Sequence, residues 1–333
     1  MRITFVIPDL LWPRQAVADT LGNQPLPALE SLLGLSRRSA ALPSPIHHWQ
    51  AAFALDLANP ANPWAAAPLR RLGLGHADDG RTWLCADPVH LQLSQQHAAV
   101  ADPVELHLDA EEARQLHAAL APVLAELGDL SLDGPHTWHL APHVPPPAFP
   151  ESLPLGESAV ALLPAGEAAR PWRRRLNEAQ MILHDHPVNQ ARAAAGKPVI
   201  NSLALWGAGV APKAGRRPWT ALWSDDPMLW GLSRRANIAT RNLPARFETA
   251  RGAICIHYDG LVVPTRLHDA IAWREALLRL ESQWLAPALA HKAVDSIELL
   301  AWGEDGGVRL MLDAWQRRKF WRRPMSLPQF ITP

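Results

Sequence analysis

The stretch LHDHPVNQARAAAGKPVINSLALWGAG, residues 183–209, gathers two histidines, two asparagines, an arginine and a Gly-Ala-Gly turn around one apolar run. Asn189 and Arg192 lie three apart, so on a helix they share a face and could grip one carboxylate or phosphate; a plain surface pair is the alternative. Arg192 is the anion-binding candidate, because its guanidinium fork holds two oxygens at once. Asn201 interrupts the apolar run, where a buried amide must bond either neighbouring backbone or something in a pocket. Gly207 and Gly209 let backbone approach a ligand at the end of that run. His184, Asp185 and His186 precede Pro187 and suit a helix C-terminal cap as well as a site. Asp87 and His90 in ADPVHL bracket a strand end, as turn residues or as ligand contacts.

Those groups need strands and helices to hold them. Ile3–Ile7 is a buried-strand run ending at Pro8-Asp9; Leu29–Arg38 and SPIHHWQAAFALDL read as helices; residues 59–81 look like connection. RTWLCADPVHLQL (81–93) alternates as a strand. Asp109, with Glu112 three residues on, opens a helix through Leu127 with a capping box. Trp138–Leu140 is a short strand, and APHVPPPAFPESLPLG is a Pro-rich linker. A helix carrying Trp172, Leu176, Ala179 and Leu183 then precedes a short one over Val188–Ala195. Val199–Trp206 follows as a strand. Helices over 226–236 and 268–285 flank a strand at 253–258, and SIELLAWG pairs with VRLMLDAW through the EDGG turn. Strands alternating with helices predict a mostly parallel sheet carrying an inserted α+β segment.

Composition narrows the function. The 333 residues carry 32 Lys+Arg against 32 Asp+Glu, which gives no bulk nucleic-acid footprint, even for the WQRRKFWRR stretch near the C-terminus. Two cysteines far apart, Cys85 and Cys255, suit buried thiols in a reducing cytosol rather than a disulfide framework or zinc site. MRITFVIPDLL is broken by Pro8 and Asp9 and reads as a first strand, and no apolar run is long enough to span a bilayer. A cytoplasmic protein is expected.

The segment LNEAQMILHDHPVNQARAAAGKPVINSLALWGAGVAPKAG resembles a block of the archaeal-type cofactor-independent phosphoglycerate mutases, and LHLDAEEARQLHAAL is similar to a helix of that family's inserted subdomain. IPDLLWP, ADPVHL, HPVN and INSLALWGAG resemble the RpfE-type regulatory proteins of proteobacteria. The resemblance implies an α/β fold: a three-layer αβα alkaline-phosphatase-like core, discontinuous over 1–83 and 151–333, with a smaller α+β subdomain inserted at 84–150. It also implies two divalent metals clamping a hydroxyl nucleophile, manganese or zinc in an active enzyme. Asp9 matches the first metal-ligand Asp, and Ser44 in LPSPIHHW is the hydroxyl nearest the nucleophile's place, although a helix N-cap is the favoured reading of it. Asp259 is the remaining metal candidate. Val263 stands where a paired histidine should follow it, WGEDGG offers Asp305 with no histidine, and none follows His291.

The sequence therefore predicts a degenerate phosphoglycerate-mutase-like protein without a metal cofactor. It would bind a small phosphorylated or carboxylated metabolite, or a protein partner, but neither nucleic acid nor membrane. An active metal-dependent phosphoglycerate mutase or phosphohydrolase with rearranged ligands is the alternative. Ile3–Ile7, Val199–Leu205 and Ala253–His257 are expected as neighbouring or near-neighbouring strands of one central sheet. The surviving pocket should lie at the carboxyl end of Val199–Trp206, lined by Asn189, Arg192 and Asn201.

Overall fold

A run of large apolar residues makes Arg2–Leu11 a strand, β1, with Ile3, Phe5, Val6 and Ile7 almost wholly removed from solvent. The computed structural model describes residues 1–55, 64–93, 98–156, 158–319 and 321–331. After β1 come helices α1 (Arg14–Leu21) and α2 (Pro27–Leu35), edge strand β2 (Arg37–Ala40) and α3 (Pro45–Phe53). The chain then builds a second unit from α4 (Ala66–Leu74), β3 (Trp83–Val89), β4 (Leu91–Leu93), β5 (Ala98–Val100) and α5 (Ala110–Leu124). That unit continues through β6 (Gly128–Gly134), β7 (Thr137–Pro142), α6 (Arg170–Asp185), α7 (Pro187–Ala194) and β8 (Ser202–Gly209). The return leg holds β9 (Ala221–Trp223), α8 (Pro227–Arg235), β10 (Ala239–Arg241), β11 (Ala253–His257), α9 (Val262–Arg266) and α10 (Ala270–Arg279). It closes with α11 (Ala286–Ala290), β12 (Ser296–Gly303), β13 (Gly306–Leu312), α12 (Ala314–Arg317) and α13 (Leu327–Phe330).

The first unit, Met1–Asp56 with Lys213–Pro333, is built on a seven-stranded sheet ordered β10-β9-β11-β1-β12-β13-β2. The pairs from β10 to β12 are parallel, and β13 and β2 add antiparallel partners at one edge. Side chains alternate across it. Ile3, Phe5, Ile254, Ile256, Ile297 and Leu299 pack with Leu29, Leu32, Trp273 and Leu277 on one face. On the other face α3 covers the sheet, with the Trp49 ring 5.6 Å from His257 and the His48 ring 5.8 Å from Trp302. Helices on both faces make the three layers.

One long-range contact ties the helical layer together. Leu26 precedes α2 and offers no side-chain cap. Glu281, in a π-helical stretch over Leu280–Leu285, takes that role: its carboxylate accepts from the Ala28 and Leu29 amides at 2.7 and 2.9 Å. Burial raises the Glu281 pKa, and the two amide donors oppose the rise.

The second unit, Leu57–Pro212, has an antiparallel sheet ordered β6-β7-β3-β8 backed by α5 and α6. Leu84, Leu116, Leu120, Trp138, Trp172, Leu183, Leu203 and Leu205 form its core. Here the expectations need correction. The Val199–Leu205 run does not join Ile3–Ile7 and Ala253–His257; it forms β8, whose Ala204 and Leu205 pair with Asp87 and Ala86 of β3. A strand apolar on both faces reads the same in either sheet, because periodicity reports burial and not the partner. The unit boundaries consequently fall at 56 and 212, outside the expected 84–150 insert. Part of the expected connection over 59–81 is helix α4, which Gly75 ends in a left-handed cap; residues 56–63 lie outside the described residues. Arg37 and Arg38, expected in a helix, belong to edge strand β2.

Replacing Glu281 with Leu should strand two buried amides and lower unfolding free energy in urea by roughly 1–3 kcal/mol, with Glu281→Gln losing less.

Candidate functional site

Open α/β sheets bind ligands beyond the carboxyl ends of their strands. In the first unit that edge is where β1 delivers Asp9, at a backbone φ of 57°, in the left-handed region where a non-glycine residue is uncommon. The Asp9 carboxylate lies 3.5 Å from the Arg266 guanidinium, supplied by the end of α9. Burial raises the Asp9 pKa and Glu304 adds to the rise, while Arg266 opposes it. The Asp9 carbonyl accepts from Trp273 Nε1 at 3.4 Å. At the ends of β9 and β11, Ser224 Oγ is 3.1 Å from His257 Nδ1 and accepts from the Asp226 amide at 3.0 Å. Both residues are buried, so this serine–histidine pair closes the loop after β9 without facing solvent.

The other metal and nucleophile candidates each have a local role. Ser44 caps α3, accepting from the His47 amide, with its hydroxyl 2.8 Å from His47 Nδ1. Asp259 closes a turn through its carbonyl to the Val262 amide, and Asp305 sits in the β12–β13 turn. Among the described residues no three His, Cys, Asp or Glu side chains are grouped so as to hold a metal ion. The described side chains therefore do not fit a two-metal centre: the one carboxylate in place faces a guanidinium, and no histidine completes the set.

The groups expected to bind an anion are occupied within the second unit. Asn189 donates to the Leu183 and Ile200 carbonyls at 2.7 and 2.6 Å and accepts from the Ile200 amide at 2.8 Å. Arg192, 1% exposed, donates to the Pro198 carbonyl at 2.8 Å, to Glu112 at 2.6 Å and to the Leu106 carbonyl. Asn201 is bonded to both the amide and the carbonyl of Leu91, and His90 Nδ1 lies 2.8 Å from the Val199 carbonyl. A Cβ on Gly207, which has φ 64°, would stand 2.6 Å from Ala66 Cβ, so its smallness serves helix packing. Gly209, at φ 153°, pairs with Trp83 in the sheet. His186 both ends α6, its amide donating to the Leu183 carbonyl, and caps α7 through Nδ1, and His184 lies in the last turn of α6. The i, i+3 spacing of Asn189 and Arg192 was a sound guide to a shared face. It could not say that the face points inward.

Asp87 belongs to a buried ionic network that sequence spacing concealed. Arg70 grips it with two bonds of 2.7 and 2.8 Å, and the Trp138 amide and Trp206 indole add donors at 3.1 and 2.9 Å. Arg70 Nε also donates to His139 Nε2 at 3.0 Å, and His139 Nδ1 meets Asp133 at 2.5 Å. Arginine cannot accept, so His139 is the tautomer with its proton on Nδ1, donated to Asp133. Burial pushes the His139 pKa down to about 4, against the pull of Asp133. The network's members come from α4, β3, β6 and β7, and no local motif links them.

Comparison with known proteins agrees with this architecture. The chain aligns with the solved PH0037 protein from Pyrococcus horikoshii at a TM-score of 0.55 and 13% identity, over 94% of this chain and 87% of that one. The likeness shows the fold. It is a mixed α/β core with a central sheet between helices, the alkaline-phosphatase-like class expected from the sequence. The cofactor-independent phosphoglycerate mutase from Thermoplasma acidophilum aligns at a TM-score of 0.43 and 16% identity, over 94% of this chain and 89% of that one. A probable 2,3-bisphosphoglycerate-independent phosphoglycerate mutase of Geobacter sulfurreducens is 40% identical over 58 residues, 17% of this chain and 14% of the relative. The match thus spans only a small part of that relative's length. No protein-family model matches the chain, and among the described residues no helix is long and apolar enough to cross a membrane.

Two outcomes follow. Arg192→Ala should cost about 3–5 kcal/mol of stability, because Glu112 and two carbonyls lose a buried partner; urea unfolding reads this directly. Stability should also fall as pH drops from 6.5 toward about 4, since the unfolded chain protonates its histidine before buried His139 does. His139→Gln should make that part of the profile shallower, with His48, whose pKa burial also lowers to about 4, supplying part of the remaining slope.

Proposed function

We propose that this chain is a phosphoglycerate-mutase-like protein of the RpfE-type regulatory group that has lost its two-metal catalyst and works by binding. The observation that carries the reading is Asp9, the residue matching the first metal-ligand Asp, whose carboxylate faces the Arg266 guanidinium at 3.5 Å. A guanidinium supplies positive charge at that point, but it has no open coordination position and cannot lower the pKa of a bound hydroxyl as a divalent ion does. Ser44, the nearest candidate nucleophile in sequence, is engaged as a helix cap.

The occupant would be a small phosphorylated or carboxylated metabolite or a protein partner. Equal numbers of acidic and basic residues argue against nucleic acid. Two buried cysteine thiols suit a reducing, cytoplasmic setting. The 58-residue match to a probable mutase favours a second reading, a working enzyme with rearranged metal ligands.

Metal analysis of the purified protein, with a phosphoglycerate mutase assay in added manganese, separates the two. The binding reading expects substoichiometric metal and no turnover. Stoichiometric manganese or zinc, with turnover abolished by Asp9→Ala, would establish the enzyme instead.

A further inference from the structure

A second polar site lies away from the carboxyl edge, on the face of the central sheet that α3 covers. Strand alternation puts Ile297 and Leu299 of β12 in the apolar core, and therefore Glu298 and Leu300 on the α3 face; Arg309 of β13, in register with Leu300, shares it. Glu298 Oε1 accepts from Arg309 Nε at 2.5 Å, and Oε2 accepts from Thr4 of β1 at 3.0 Å. The Trp219 indole donates to the same Thr4 hydroxyl at 3.2 Å. Above this floor is a cavity of about 440 Å³, lined by Glu298, Arg309, Arg216, His48 and the small residues Ala51 and Ala52 among others. That volume suits a small organic ligand.

Three features of the lining specify its chemistry. Glu298 and Arg309 compensate each other, which leaves Arg216, with no ion-pair partner among the described residues, as an excess positive charge. The His48 ring meets Trp49 edge-on and Trp219 and Trp302 at a tilt, and its Nε2 is buried without a hydrogen-bond partner among the described residues. A buried polar atom of that kind needs an explanation. Burial holds the His48 pKa near 4, so the ring is neutral at physiological pH and offers one donor and one acceptor. Each Glu298 oxygen keeps a second lone pair.

We propose that this cavity is a binding site for a small hydroxylated oxyanion, in which Arg216 holds the carboxylate or phosphate oxygens and Glu298 accepts from the ligand hydroxyl, with the neutral His48 ring as part of the wall. Glu298 precedes Gly303, the end of β12, by five residues, which puts Glu298 about 16 Å along the strand from the carboxyl edge. The cavity is a site distinct from the one Asp9 marks, and it stands whether or not the chain proves to be a mutase.

Calorimetric titration with D-glycerate, glycerol 1-phosphate, inorganic phosphate, acetate and glycerol tests it. One saturable site per chain is expected for D-glycerate or glycerol 1-phosphate, at least tenfold tighter than for acetate or neutral glycerol. The better of the two names the anionic group. Arg216→Ala, at an exposed position, should weaken that binding at least tenfold and leave the unliganded melting temperature within about 2 °C. Ala52→Leu should block binding by filling the cavity. The absence of saturable binding by both D-glycerate and glycerol 1-phosphate would overturn the proposal, as would equal or tighter binding of inorganic phosphate, acetate or glycerol, or undiminished binding by a folded Arg216→Ala protein.

Discussion

The position of β1 at the middle of the central sheet constrains everything at its carboxyl edge. It is hydrogen-bonded in parallel to β11 on one side and β12 on the other, with apolar residues against both helical layers. Such a strand cannot slip by one residue without turning its core side chains to the wrong face. Its register therefore fixes where Asp9 emerges, between the loop after β11 and the β12–β13 turn. From the first of these comes Arg266, whose charge meets the carboxylate, and from the second Glu304, which opposes its ionisation. What the site can do is decided by which loops meet there. Here they bring a cation on a side chain, and among the described residues no cluster of metal-ligating side chains.

In the second unit, polar groups that look chemical are held within the scaffold. Asp87, Arg70, His139 and Asp133 share one network, and Arg192 bonds Glu112 and two backbone carbonyls. Burying charge is costly unless every member is paired, and these members are paired several times over. Glu112 does double work: it completes the capping box at the start of α5 and receives Arg192. That shared residue links the helix start, legible in sequence, to the arginine that was not.

The elements that local chemistry specifies were readable. Asp109 and Glu112 marked the start of α5, the EDGG turn marked the β12–β13 hairpin, and the Ile3–Ile7 run marked β1. Sheet membership was not readable, since β8 is buried on both faces in either assignment. That Asn189, Arg192 and Asn201 bond protein groups was unreadable for a related reason. Spacing shows which side chains share a face, while their direction is set by the carbonyls of Leu106, Pro198 and Leu91, distant or unremarkable in sequence. One signal was present and unused. The hairpin register places Glu298 and Arg309 on one face as a diagonal pair, and a carboxylate and a guanidinium inside two apolar strands point to a polar site there. His48 and Arg216 reach it from α3 and from the loop before β9, and no pattern announces them.

The proposed function requires that a guanidinium, and not a pair of divalent ions, neutralise Asp9. Electron paramagnetic resonance of the protein titrated with manganese(II) tests it most directly. The account predicts that the free-ion signal grows in proportion to added metal, in the wild type and in Asp9→Ala alike. Loss of that signal through about two equivalents per chain, with a spin-coupled manganese pair that Asp9→Ala abolishes, would contradict it.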